Sequence, residues 1–317
     1  MIEVYENGEV KHITRIKEII GFEKKDIIYI KLTDNEVKRL NGVAEIFSID
    51  LKPFQNREDI EISSHYIDIS NQLTLNLSIP INTSEEITEE ESIHIVIKEN
   101  IVFLFVPEIM NKILDQLTNL RYDIVNLKFE SHLDFLAFQI GLLSDYYADI
   151  VELNSNKIRD TYYKTMKFTN VSESILDLLT KYNFNNFLLR ESVSEFQRVI
   201  LLLRKKYSEN KTINEKLEIE INDLNVVSEH IQYNFERVND LKTIINSKIE
   251  LEQNKIFKTL TIITVCVSIP TLIAGIYGMN FKNMPELNYY YSYPIVIIMI
   301  ILSCLLPLIY FKRNKWF

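Results

Sequence analysis

Hydrophobic positions change period along this chain. In the first third they alternate: Leu75, Leu77 and Ile79 with Thr74, Asn76 and Ser78, and Ile67 and Ile69 with Asp68 and Ser70. That is the period of strands. Ile93–Ile97 and Ile101–Val106 flank Lys98-Glu99-Asn100, which predicts a hairpin. Asp34 is placed to cap a helix running to about Ile46. From Asn111 to Ile269 there is no proline, and the only glycine is Gly141, so this stretch is predicted to be almost entirely helical. Long helices are expected over about Ser131–Lys167 and Ser172–Lys206, then a turn at Tyr207–Lys211, then a last helix capped by Thr212. In that helix Leu217, Leu224, Ile231, Val238 and Ile245 recur every seventh residue, a seam that packs against other helices. No breaker separates the seam from an apolar run, Ile256–Tyr277. One helix from Thr212 to Tyr277 would be on the order of 100 Å long at ~1.5 Å per residue, with a bend expected at Pro270.

The run Ile256–Tyr277 carries one charge, Lys258, and a second run, Tyr293–Phe311, carries none. Each has the length a helix needs to cross ~30 Å of hydrocarbon, so both are predicted membrane spans with the lipid bilayer as partner. Lys255 and Lys258 on one flank, and Lys312, Arg313 and Lys315 on the other, outweigh the connecting loop, which has only Lys282 and Glu286. The positive-inside rule then places both termini in the cytoplasm of a multi-pass protein of the cell membrane. Tyr289, Tyr290, Tyr291 and Tyr293 suit one interfacial belt and Trp316 the other. The expected fold class is α+β and mostly helical. The segments are an N-terminal cytoplasmic α/β domain (1–110), cytoplasmic long helices (111–211), a stalk helix (212–255) continuous with the first span (256–277), an outer loop (278–292), the second span (293–311) and a basic tail (312–317).

Composition adds exclusions. The 317 residues carry a net charge of -9, and an acidic chain whose one basic cluster is its short C-terminal tail is not built for nucleic acid. No apolar stretch lies near Met1, so no signal peptide is expected. The two cysteines, Cys266 and Cys304, fall in the apolar runs and imply no disulfide framework. The five histidines, His12, His65, His94, His132 and His230, have no ligand spacing and are expected at the surface or in packing. The acidic run Glu85–Glu91 is expected to be a solvated loop. No phosphate-binding glycine loop, zinc-protease motif or nucleophile elbow is present, which argues against an enzyme and gives no reason to expect a catalytic cofactor.

Within the first span, Asn254, Phe257, Thr261, Thr264, Ser268, Thr271, Gly275 and Gly278 alternate steps of three and four and form one stripe, polar or small except for Phe257. The other faces carry Ile262, Ile263, Val265, Val267, Ile269, Leu272 and Ile273. In the same phase the stripe continues back through Glu250, Ser247, Thr243, Asp240, Glu236 and Glu229. Small and hydroxylated residues suit a helix–helix contact. Carboxylates leading into hydroxyls equally suit a cation path. One such helix cannot enclose a pore, so the second reading requires a ring of identical subunits.

At the end of this helix stands Tyr277-Gly278-Met279-Asn280-Phe281, followed by Met284-Pro285-Glu286-Leu287, a second span and Lys312-Arg313-Asn314-Lys315-Trp316. In this placement, with Ile273-Ala274-Gly275-Ile276 before it, the Gly-Met-Asn motif resembles the CorA family of magnesium and cobalt transporters. The match is specific from about Asn254 to Phe317 and architectural before that. The resemblance implies a homopentameric divalent-cation channel for passive magnesium uptake, with cobalt or nickel as surrogates, held closed by cytoplasmic magnesium. It implies a filter of Gly278, Met279 and Asn280, and a pore lined by Thr271, Ser268, Thr264, Leu260, Phe257 and Asn254, with Thr261 and Gly275 on the same stripe. Leu260 and Phe257 would form a narrow apolar gate. Glu286 fits an acidic outer loop, and Lys312, Arg313 and Lys315 fit a basic ring at the pore mouth. Ser268 stands where the family often has a larger apolar residue, which implies a wider bore there. Asp240 and Glu250 are the candidates for regulatory metal contacts. Magnesium holds its water tightly, and a filter of amide and carbonyl oxygens suits the hydrated ion, whereas zinc favours imidazole or thiolate. The alternatives are a zinc transporter of the same superfamily, coupled to protons, and a two-span sensor or scaffold that moves no ion.

Overall fold

A computed structural model of the chain describes residues 2–33, 37–55, 65–82, 88–121, 127–167, 173–280 and 282–314. Seven strands form one sheet: β1 (Ile2–Glu6), β2 (Glu9–Ile13), β3 (Ile27–Leu32), β4 (Tyr66–Ile69), β5 (Gln72–Asn82), β6 (Thr88–Lys98) and β7 (Ile101–Phe105), in the order β2-β1-β3-β7-β6-β5-β4. The β3–β7 pair is parallel and the other pairs are antiparallel. The helices are α1 (Val37–Phe47), α2 (Glu108–Arg121), α3 (His132–Lys167), α4 (Glu173–Lys206), α5 (Lys211–Tyr277) and α6 (Ser292–Arg313). Asp34, the expected cap of α1, and Ser172 lie outside the described residues.

The hairpin at Lys98-Glu99-Asn100 forms as expected, with Glu99 and Asn100 at φ 51° and 63°. Positive φ at both central residues matches the twist of the flanking strands. Asn7-Gly8 and Ser70-Asn71 turn the chain in the same way.

Both sheet faces are covered. On one, Leu75, Leu77, Ile95 and Leu104 share a core with Met110 and Leu114 of α2, Leu136 and Ile140 of α3, Val193 and Phe196 of α4, and Leu217, Leu224 and Ile231 of α5. On the other, Val4, Ile30, Phe103 and Phe105 pack with Val43 and Phe47 of α1. Covering both faces buries the polar positions of β5 as well. Gln72 exchanges hydrogen bonds of 2.9 Å with the Asp50 backbone, and Asn76 Nδ2 donates to the Pro53 carbonyl at 2.7 Å. His94 is buried too, stacked 4.4 Å from the Phe54 ring centroid. Such pairing removes most of the cost of taking these groups out of water.

Two sequence expectations are corrected. Glu89, Glu90 and Glu91 are strand residues of β6, opposite Ile81, Pro80 and Ile79, rather than loop, while Glu85, Glu86 and Ile87 lie outside the described residues. The long partner strand β5 offers a backbone ladder up to Asn82, and that ladder outweighs the run's polarity. The last helix begins at Lys211, and its cap is Asn210, not Thr212: Ile213 N donates to Asn210 Oδ1 at 3.2 Å. The turn fixes this choice, because Asn210 N bonds the Tyr207 carbonyl at 2.9 Å and so presents its side chain to the helix start.

The chain divides into two compact units, one of residues 1–168 with 172–242 and the other chiefly 243–317. Among the described residues, two helices, α5 and α6, contain stretches long and apolar enough to cross a membrane. Only 11% and 0% of their most apolar windows are buried, so neither is a core helix of a soluble fold.

Candidate functional site

The α5 seam is fully buried at Leu217, Leu224, Ile231, Val238 and Ile245. In the first unit α3 and α4 hold this helix by polar contacts at its flanks: Arg204 to Glu218 at 3.1 Å, Gln197 to Asn225 at 3.0 Å, Ser155 to Asn234 at 3.0 Å, and Lys216 to Asp134. Glu229, Glu236, Asp240, Thr243, Ser247 and Glu250 stay exposed, away from the seam. From Glu236 back toward Lys211 this stripe is partly apolar, with Tyr233, Val226 and Ile219 exposed at seven-residue spacing. Asp240 and Glu250 are ten residues apart, about 15 Å along a helix, so one chain cannot chelate a single ion with both. Among the described residues no group of three or more His, Cys, Asp or Glu side chains is arranged to hold a metal.

In the second unit, α6 packs on one side of α5. Ile262, Cys266 and Phe311 are buried together, with Val265 and Cys304 against them. At 100° per residue, Ile262 and Cys266 are turned roughly 160° from Thr264. The polar stripe is therefore on the face opposite α6, and Asn254, Phe257, Thr261, Thr264, Ser268, Thr271, Gly275 and Gly278 are all exposed there, with Leu260 at its edge. Each stripe hydroxyl donates to the carbonyl four residues back: Thr261 to Phe257 and Thr264 to Leu260 at 2.8 Å, Ser268 to Thr264 and Thr271 to Val267 at 2.7 Å. Each hydroxyl proton is committed to the backbone, so what the stripe presents outward is oxygen lone pairs. Thr259, off the stripe, bonds Lys255 in the same way, so the stripe differs in the alignment of these groups and not in the bond itself.

Helix α5 ends at Tyr277. Gly278 N donates to the Ala274 carbonyl at 2.9 Å and Met279 N to Ile276 at 3.2 Å. A Cβ on Gly278 would sit 3.1 Å from the Ala274 carbonyl oxygen, so glycine suits this close turn. Asn280 follows, exposed. Glu286 is exposed in a short turn, Pro285–Asn288, where its carbonyl and that of Tyr289 accept from the Ser292 hydroxyl. Lys312 and Arg313 are exposed at the end of α6, while Lys315 and Trp316 lie outside the described residues.

The fold also gathers titratable groups that spacing along the chain gives no means of finding. His65 Nδ1 donates to the Asn76 carbonyl at 3.1 Å, which leaves Nε2 facing Glu195 Oε1 at 3.5 Å. Burial raises the Glu195 carboxyl above its ordinary range, with Glu191 and Glu90 adding to the rise and His65 opposing it.

A sheet domain with long helices, one of them running on into the first of two apolar C-terminal helices, defines the chain as a two-span membrane protein with a polar stripe in its first span. The profile of the CorA-like Mg2+ transporter protein family matches residues 24–313, and the chain belongs to that family. It is 29% identical over 307 residues to the magnesium transport protein CorA of Wolinella succinogenes, covering 92% of this chain and 91% of the relative. It is 26% identical over 308 residues to that of Helicobacter pylori, covering 95% of each. The structure of the CorA magnesium transporter from Methanocaldococcus jannaschii superposes over 100% of this chain and 99% of that one, with a TM-score of 0.81 at 17% identity. The cytoplasmic domain of ZntB from Vibrio parahaemolyticus covers 70% of this chain and 87% of its own, with a TM-score of 0.52 at 14% identity. At those identities the structural likenesses establish the fold alone.

Proposed function

We propose that this chain is one subunit of a homopentameric channel of the cell membrane that passes magnesium passively into the cell, with both termini cytoplasmic. The observation that carries this reading is the polar stripe of α5. It lies on the face opposite α6, presents hydroxyl oxygens in line, and runs into Gly278-Met279-Asn280. Five such helices with α6 outside them would enclose a bore of oxygen lone pairs. Asn280 amides and Gly278 carbonyls would receive the ion through its water shell, so the cost of stripping magnesium at entry is avoided. Phe257 and Leu260 would form the apolar constriction, where dewetting holds the path closed. Glu286 would concentrate cations at the mouth. The exposed Ile219, Val226 and Tyr233 are suited to contact between neighbouring stalks. Asp240 and Glu250 would bind regulatory magnesium together with a neighbouring subunit's groups.

The zinc reading is less well supported. The one thiol of the first span, Cys266, is buried on the α6 side and not on the stripe, and every curated relative named above is a magnesium transport protein. The discriminating experiment is ion uptake into liposomes holding the purified protein. Magnesium should enter down its own gradient at the same rate with and without a proton gradient. Zinc uptake that needs a proton gradient, with no magnesium uptake, would replace this reading by the zinc transporter.

A further inference from the structure

We infer that the groove between α5 and α6 around Pro307 binds an anionic phospholipid of the leaflet next to the C-terminal end of α6. The inference requires only that these two helices cross a bilayer, and does not depend on the ion carried.

The groove has a volume of about 760 Å3, and its lining includes Val265, Ile269, Leu306, Pro307, Tyr310 and Arg313. Its polarity is graded along α6. The floor is apolar, and the rim holds the Tyr310 ring and then the Arg313 guanidinium. Pro307 has no N–H, so the carbonyl of Ser303, a residue that also lines the groove, has no helical partner four residues on. Acyl chains suit the floor, and a headgroup phosphate suits the rim.

Charge selects the occupant. Arg313 and Lys312 are adjacent and exposed, and neither makes an ion pair among the described residues. A guanidinium fork matches phosphate oxygens in bidentate geometry, and two cations with no ion pair among the described residues, held at a bilayer surface, favour an anionic headgroup over a zwitterionic one. A second copy of this chain would not neutralise them with its spans, because no Asp or Glu occurs between Glu252 and Glu286 or after Glu286. Phe311 packs by Ile262, and Glu252, ten residues before Ile262, lies about 15 Å further along the helix.

The test is native mass spectrometry of the purified full-length assembly in detergent, with phosphatidylglycerol or phosphatidylcholine of matched chains added. Wild type should retain at least about fivefold more phosphatidylglycerol. The double variant Arg313→Gln/Lys312→Gln should lose that preference. Ile269→Trp, which fills the floor and keeps both cations, should lose retention of the lipid, and Lys282→Gln, in the loop, should change nothing. Equal retention of the two lipids by wild type, or an unchanged preference in the double variant, would overturn the inference. So would full displacement of phosphatidylglycerol by soluble glycerol phosphate, which would show that charge alone is bound and the groove is not used.

Discussion

Asn280→Ala is expected to reduce magnesium uptake into liposomes by at least about tenfold while leaving the assembly intact. Asn280 is exposed just beyond the end of α5, and its side-chain amide makes no hydrogen bond among the described residues, so the substitution breaks none of those. An amide oxygen in that position can accept a hydrogen bond from water bound to the ion. Each such bond contributes on the order of 0.5–1.5 kcal/mol, and five symmetric copies together exceed the ~1.4 kcal/mol that makes a factor of ten. Elution volume on size exclusion separates loss of the filter from loss of the fold. Wild-type uptake in an assembled variant would show that Asn280 is not the filter.

Thr271→Phe is expected to block uptake, again by about tenfold or more, whereas Ile276→Phe should leave it within about twofold. Thr271 lies on the stripe, and five phenyl rings at one level would close a bore built for a hydrated ion. Ile276 lies on the same helix, 47% exposed, and is turned about 100° from the stripe's centre. The paired substitution places the same phenyl ring on two faces of one helix, so a general effect of the ring on helix packing would lower both. Equal losses from the two variants would remove the functional distinction between the faces.

Much of this architecture was legible from residue periods. The five seam positions Leu217 to Ile245 predicted a face packed against helices, and all five are buried. The stretches of alternating residues predicted strands, and the breaker-free segment predicted long helices, because both signals depend on local geometry that one window contains. Three things were not legible in this way. That the polar residues of β5 would be buried depends on α1 and the Asp50–Pro53 segment closing over the second sheet face. Alternation in one strand cannot report that closure. The cap at Asn210 competed with an equally suitable residue two positions away, and only the preceding turn decides between them. The side of α5 that α6 covers was also hidden. α6 is apolar on every face, so its sequence gives no direction, and only its packing against Ile262 and Cys266 leaves the stripe free.

The most direct test of the central claim is a cysteine scan of α5 in a Cys266→Ser/Cys304→Ser background. Magnesium uptake is measured before and after treatment with a charged, membrane-impermeant thiol reagent. Cysteines at Thr264, Ser268 and Thr271 should be modified and should block uptake, while cysteines at Ile262, Ile269 and Ile276 should not, so that block recurs with the three-and-four spacing of the stripe. Block at none of the stripe positions, or block without regard to position, would contradict an ion path along this face.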